Sequence, residues 1–262
     1  MASVKKLVHF IRHYLQSKTR HGTHSPFVYA LVEDCLYREV SIPKGVIEHF
    51  ERLNRSQELV RGYDYGRSLE IEYSVAHLAL KSASQTFEAA ALAGICQYHQ
   101  FCRVLELGSN LGKAISYMAA VNADTQFVGV DGNKGAVAHT KKTLAQLNLN
   151  NVQIHHSTFN DFFQQNGEQF EMIFIDGDHS YEPTLRNYQE AKSILKGEGP
   201  IVLHDIYWSD GMRRAWEKIK ADNDATVTID LFFFGLVYFR KEQRKQHFSI
   251  RYPKNLVRKL FF

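Results

Sequence analysis

Hydrophobic residues fall at helical spacing through the first hundred positions and in short strand-like blocks thereafter. Val4, Leu7, Val8, Ile11, Tyr14 and Leu15 share one face of a helix whose other positions carry Lys5, Lys6, Arg12 and His13. A basic amphipathic helix of this kind ordinarily packs on its own domain or on a second copy of the chain, and it can also lie on a membrane surface. Ser25-Pro26 opens a second helix, because Ser supplies an N-cap oxygen and Pro suits the first helical position. A third helix follows Pro43, the stretch Gly62 to Gly66 reads as a loop, and Ser84 caps a helix through Phe87, Ala91, Ile95 and Tyr98.

From Arg103 the period changes. Strands are expected at 103–107, 126–130, 152–155, 172–175 and 200–203, separated by helices near 111–121, 135–147, 159–165, 184–195 and 212–221. Such alternation predicts an α/β fold in which helices cover both faces of a parallel sheet. Two more strands, 226–230 and 236–240, follow with no helix between them, so they pair as a hairpin and the sheet ends with an antiparallel strand. The expected architecture is Rossmann-like and doubly wound: a mostly parallel seven-stranded sheet with a C-terminal antiparallel strand and an N-terminal helical extension.

Composition narrows the function. Of 262 residues, 44% are hydrophobic and 23% charged, which suits a globular core and excludes a disordered or fibrous chain. The longest uncharged aromatic-aliphatic run, Leu231 to Phe239, is about half the roughly 20 residues that a bilayer span requires, so no membrane span is expected. The net charge of +4 comes from 32 basic and 28 acidic residues, and its main basic segment, 240–259, reads as a solvated end. Nucleic acid is therefore not the expected partner. Three cysteines, Cys35, Cys96 and Cys102, without metal-type spacing fit a reducing compartment, and the 4–15 segment is too broken by charge for a secretory core. A cytoplasmic protein is expected.

The first β/α unit carries Glu106-Leu107-Gly108-Ser109-Asn110-Leu111-Gly112. Gly108 permits a tight turn out of the strand, and Gly112 lets the following helix pack closely, leaving backbone N–H groups facing a ligand. The middle glycine of a dinucleotide fingerprint is missing, so the motif favours a ligand with a positive centre near Glu106 over a pyrophosphate. The second strand ends in Asp131-Gly132, nineteen residues beyond Gly112, where a carboxylate can take both hydroxyls of a ribose.

These two motifs, together with the fourth strand and its Asp176-Gly177-Asp178-His179, resemble class I S-adenosylmethionine-dependent methyltransferases over about Ser82 to Arg240. The resemblance implies S-adenosyl-L-methionine as cofactor. Its methionine portion would lie near Glu106, Gly108, Ser109, Asn110 and Gly112, its ribose on Asp131 and Gly132, and its adenine near Ser157 and Thr158, where the family's usual acidic residue is absent. It also implies three segments: 1–80 as a helical cap, 81–245 as the catalytic domain and 246–262 as a basic tail.

The acidic ends of the fourth and fifth strands, Asp176 and His204-Asp205, resemble those of small-molecule O-methyltransferases. In the metal-dependent members such positions hold Mg²⁺, which makes Asp176 and Asp205 candidate ligands with His204 as a third. His204 stands where those members carry an acid, and an imidazole suits a softer ion. The metal-free alternative uses His179 or His204 as general base, oriented by Asp176 or Asp205, with Asp176 also touching the cofactor. The expected activity is methyl transfer to a small hydroxylated acceptor, with self-association through the N-terminal helices as a further partnership. RNA or protein methylation and a lapsed cofactor-binding module are the alternatives. Two further segments, 21–27 and 63–67, and the loop Ile206 to Ser209 are candidate linings of the acceptor pocket.

Overall fold

The computed structural model describes residues 2–19, 22–64, 69–81 and 86–252. The N-terminal region forms α1 (Ala2–Gln16), α2 (Pro26–Leu31) running into a π-helical turn (Val32–Leu36), and α3 (Lys44–Leu53). It then forms a hairpin of β1 (Leu59–Asp64) and β2 (Leu69–Ser74), followed by α4 (Val75–Lys81) and α5 (Thr86–His99). Ser25 caps α2 as expected, its hydroxyl accepting from Val28 N–H. The Ser84 cap and residues 65–67 lie outside the described residues.

The hairpin replaces the loop predicted around Gly62. A Cβ on Gly62 would fall 2.0 Å from Asn133 Oδ1, and one on Gly135 would fall 2.2 Å from the Arg61 carbonyl oxygen. Gly62 thus marks a close backbone approach inside a strand, not a loop. The hairpin rests on the start of the helix that follows Asp131.

The second part alternates β3 (Arg103–Leu107), α6 (Lys113–Val121), β4 (Gln126–Asp131), α7 (Lys134–Gln146), β5 (Val152–His156), α8 (Phe159–Gln165), β6 (Met172–Ile175), α9 (Tyr181–Ile194), β7 (Ile201–His204) and α10 (Asp210–Lys220). It closes with β8 (Val227–Asp230), β9 (Phe234–Tyr238) and β10 (Gln246–Ser249). The sheet order is β10-β8-β9-β7-β6-β3-β4-β5. The antiparallel strand β9 is internal, between β7 and β8, and the eighth strand, β10, arises from the segment expected as a tail and pairs parallel with β8. Polar, His-containing Gln246–Ser249 carries little β signal of its own. Edge pairing to an already twisted neighbour recruits it.

Alternate strand residues feed two cores. Val104, Phe174 and Val202 join α5, α6 and the N-terminal helices on one face, while Leu105, Ile173 and Leu203 join Phe162, Tyr188 and Trp216 on the other. Val28, Leu31, Val46 and Phe50 of the N-terminal region sit in the first of these cores, so that region completes the sheet's covering layer.

The helix α1 forms with the predicted periodicity but docks by the other face. Phe10 and His13 are buried, while Val8, Ile11 and Leu15 are exposed. Two contacts explain the choice. His13 Nε2 lies 3.1 Å from Asp230 Oδ1, and the Phe10 ring meets Phe232, in the loop between β8 and β9, edge-on with centroids 5.1 Å apart. Tyr207 completes the lock by donating its hydroxyl to Asp230 Oδ2 at 2.7 Å. The helix consequently spans the carboxyl edge of the sheet.

Candidate active site

Strand order reverses at β3, which pairs with β4 on one side and β6 on the other. A crevice at the carboxyl ends of such strands is where open α/β sheets take their ligands. Gly108 lies at this point with φ +95°, and a Cβ there would fall 1.9 Å from the Asp176 carbonyl oxygen. The position therefore requires glycine on two counts, backbone conformation and the crossing of the β3 and β6 loops.

Glu106, the penultimate residue of β3, is 2% exposed. Its Oε2 atom and the Ser109 hydroxyl are buried with no hydrogen-bond partner among the described residues. Burial pushes the Glu106 carboxyl well above the usual range, and the Asp176 and Asp131 carboxylates push it further. Three acids thus converge on one crevice. Asp131 accepts Asn110 N–H at its Oδ2 and Asn133 N–H at its Oδ1, both at 2.7 Å, which fixes the carboxylate between the two loops. Burial raises the Asp131 pKa, partly offset by those two amides. Asn110 has φ 45°, and Thr140 donates its hydroxyl to the Asn110 carbonyl, so the loop is held in a left-handed turn from below. The Glu106 Oε2 atom, buried without a partner, and the glycine cradle fit the positive amino acid portion of S-adenosylmethionine.

The Gly132 carbonyl oxygen accepts from His156 Nε2 at 3.0 Å. Ser157 N–H donates to the Asp131 carbonyl, which brings this turn beside Asp131. Thr158 is used as the N-cap of α8, its hydroxyl accepting from Asp161 N–H and donating to Asp161 Oδ2.

Beyond the crevice the second cluster is linear. Asp176 Oδ1 lies 2.7 Å from His204 Nδ1 and 3.6 Å from His179 Nε2, and His204 Nε2 lies 3.5 Å from Glu88 Oε2 on α5. Burial opposes charge on His204, but Asp176, Asp205 and Glu88 outweigh it and hold its pKa well above the usual value. His204 is thus held between two carboxylates that favour its charged form. Asp205, at φ 51°, faces Lys6 Nζ at 3.5 Å, and although burial works against ionisation, His204 and Lys6 hold its carboxyl below the usual range. His204 turns Nδ1 to Asp176 and Nε2 toward Glu88, and Asp205 is turned toward Lys6. Among the described residues no group of three or more His, Cys, Asp or Glu is arranged to hold an ion. The residues at Asp176, His204 and Asp205 do not fit Mg²⁺.

The segment 22–27 lies away from this cluster. Phe27 packs edge-on against Tyr238 at the amino edge of the parallel strands, under the Arg240 guanidinium. His21 is outside the described residues. The loop after β7 does face the site: Ile206 is buried, Trp208 is 58% exposed beside His179, and Ser209 caps α10. Glu88 and Lys6 escaped sequence reasoning. Both sit on helices whose patterns announce only packing, and each gains its role from a contact more than a hundred residues away.

Residues 105–206 match the family model described as a methyltransferase domain. The chain is 28% identical over 142 residues to a Rickettsia prowazekii protein, covering 52% of this chain and 26% of that relative, so it spans about a quarter of the relative's length. Among solved structures it superposes on an O-methyltransferase from Bacillus cereus in complex with S-adenosylhomocysteine at a TM-score of 0.59 and 18% identity, covering 77% of this chain and 94% of that one. A Podospora anserina methyltransferase bound to S-adenosylhomocysteine gives a TM-score of 0.62 and 12% identity, with 84% and 97% covered. Residues 105–206 are accordingly a methyltransferase domain, set in the Rossmann-like α/β fold that those solved methyltransferases share.

Proposed function

We propose that this protein is an S-adenosylmethionine-dependent methyltransferase that methylates a hydroxyl group of a small molecule without a metal. The observation that carries the reading is the pairing of the unpartnered Glu106 oxygen with the His179–Asp176–His204 line across one crevice. When bound, S-adenosylmethionine supplies a methyl group already made electrophilic by its sulfonium. The protein's share is alignment and removal of the acceptor's proton.

Glu106 holds the cofactor's ammonium, Gly108 to Gly112 shape the turn around it, and Asp131 takes the ribose hydroxyls. His204 carries a proton and so cannot serve as base. His179 takes the acceptor's hydroxyl proton, and Asp176 stabilises the imidazolium that forms. Trp208 and the outer end of α1 wall the acceptor side, which supports reading residues 1–80 as a cap on the domain at 81–245. The three cysteines are free, in keeping with a cytoplasmic protein.

A methyl-transfer screen over catechols, phenols, sugars and RNA, run with and without chelator, tests the reading. Turnover on a hydroxylated small molecule, insensitive to chelator, is expected. Transfer confined to RNA would replace it with the nucleic-acid alternative.

A further inference from the structure

The apolar stripe of α1 faces solvent. Val8 is 57%, Ile11 48% and Leu15 75% exposed, and Tyr14 flanks them at 44%. Burying such a stripe is what an amphipathic helix is for, yet this helix meets its own domain through Phe10 and His13 instead. An exposed aliphatic face that no described residue covers is a surface open to a partner.

Charge identifies the occupant. Residues 1–32 carry five basic side chains and no acidic one, and residues 243–262 carry six and none. The 210 residues between them hold all 28 acidic side chains against 21 basic ones, a net −7. Among the described residues, the two segments meet at Lys18 and Arg251, at the end of α1. Lys18 N–H donates to the Ser249 carbonyl at 2.8 Å, Arg251 N–H donates back to the Lys18 carbonyl at 2.9 Å, and the Arg251 guanidinium stacks 3.8 Å from the Tyr14 ring. Arg12 and Lys18 are exposed beside the aliphatic stripe. A second copy of the chain would bring the same basic rim against itself. An anionic lipid surface satisfies both halves of the face, taking aliphatic side chains below its headgroups and pairing its phosphates with the rim.

We infer that the outer face of α1, built on Val8, Ile11 and Leu15 and rimmed by Arg12, Lys18 and Arg251, docks the protein on an anionic membrane surface. The helix lies in the membrane plane, and the carboxyl edge of the sheet that carries Asp176 and Trp208 sits beneath it. The contact is peripheral, and no helix among the described residues is long and apolar enough to cross a membrane. It stands whether or not methyl transfer is the activity.

Co-sedimentation of the full chain with vesicles tests it, using phosphatidylcholine alone and phosphatidylcholine with roughly 30% phosphatidylglycerol. The wild type should pellet with the anionic vesicles only, and less in high salt. Leu15→Asp and Ile11→Asp should each lower the partition roughly tenfold, and Arg12→Glu should do so on anionic vesicles. Because these side chains are exposed, circular dichroism and the melting temperature should stay at wild-type values, separating lost docking from lost folding. Absence of vesicle binding by the wild type, or unchanged binding by Leu15→Asp, would overturn the inference. So would a dimer in sedimentation velocity that Leu15→Asp converts to monomer while no vesicle binding is seen, since the face would then belong to a second copy.

Discussion

Replacing Glu106 by Gln separates what this carboxyl does for the ligand from what it costs the fold. In the folded chain its pKa is held well above the usual value by burial and by Asp176. The unfolded chain releases that proton near the ordinary value of about 4.3. As pH rises past that point the folded state keeps a proton the unfolded state has lost, so stability falls until the folded pKa is passed. Gln removes the ionisation at constant volume. Relief of the ionisation penalty by about 1 kcal/mol, less than one pKa unit's worth, would raise the ligand-free melting temperature by about 2–4 °C at neutral pH in a chain of this size. Ligand binding should move the opposite way. A charge-assisted hydrogen bond is worth about 1.5–3 kcal/mol, so the Kd for S-adenosylhomocysteine should rise about 10- to 150-fold. Thermal melts at several pH values and isothermal titration calorimetry read both quantities. A lower ligand-free melting temperature with unchanged affinity would refute the reasoning, because it would make Glu106 a structural residue and nothing more.

Three further expectations follow from the same geometry. His179→Ala should lower kcat by about 10²- to 10⁴-fold while S-adenosylhomocysteine affinity is kept, and a variant with near wild-type kcat would remove His179 as base. Chelation should leave turnover unchanged, and activity lost to EDTA and restored by Mg²⁺ would contradict the charged state assigned to His204. Asp230→Ala should destabilise the protein by about 3 kcal/mol in urea unfolding, since it strands buried His13. Burial raises the Asp230 carboxyl's pKa but His13 and Tyr207 more than reverse this, so the wild type's advantage is present above the unfolded value of about 3.9 and shrinks as pH falls through the lower folded one. An advantage that grows toward acid would show the sign to be wrong.

The β/α alternation from Arg103 onward was legible because strands buried on both faces read as short apolar runs, and their helices as amphipathic stretches between them. The crevice was legible for the same reason: Glu106, Asp131 and Asp176 are acids at the ends of apolar strands, where packing gives no reason for them. The hairpin at 59–74 was not, because Gly62 signals a turn in sequence and only the approach of Asn133 explains it as a strand residue. The docking face of α1 was not either. Periodicity finds an apolar stripe but does not say whether the domain or an outside surface covers it, and here the buried His13–Asp230 pair decided against the stripe. Glu88 acquires meaning only through His204, 116 positions later in the chain.

The crevice between Glu106 and Asp131 is the proposed cofactor site. Titration calorimetry of S-adenosylhomocysteine into the wild type and into Asp131→Ala tests it most directly. One saturable site in the wild type, lost in a variant that still melts cooperatively, is the expected result. A folded wild type that does not bind, or an Asp131→Ala variant that binds as tightly, would contradict it.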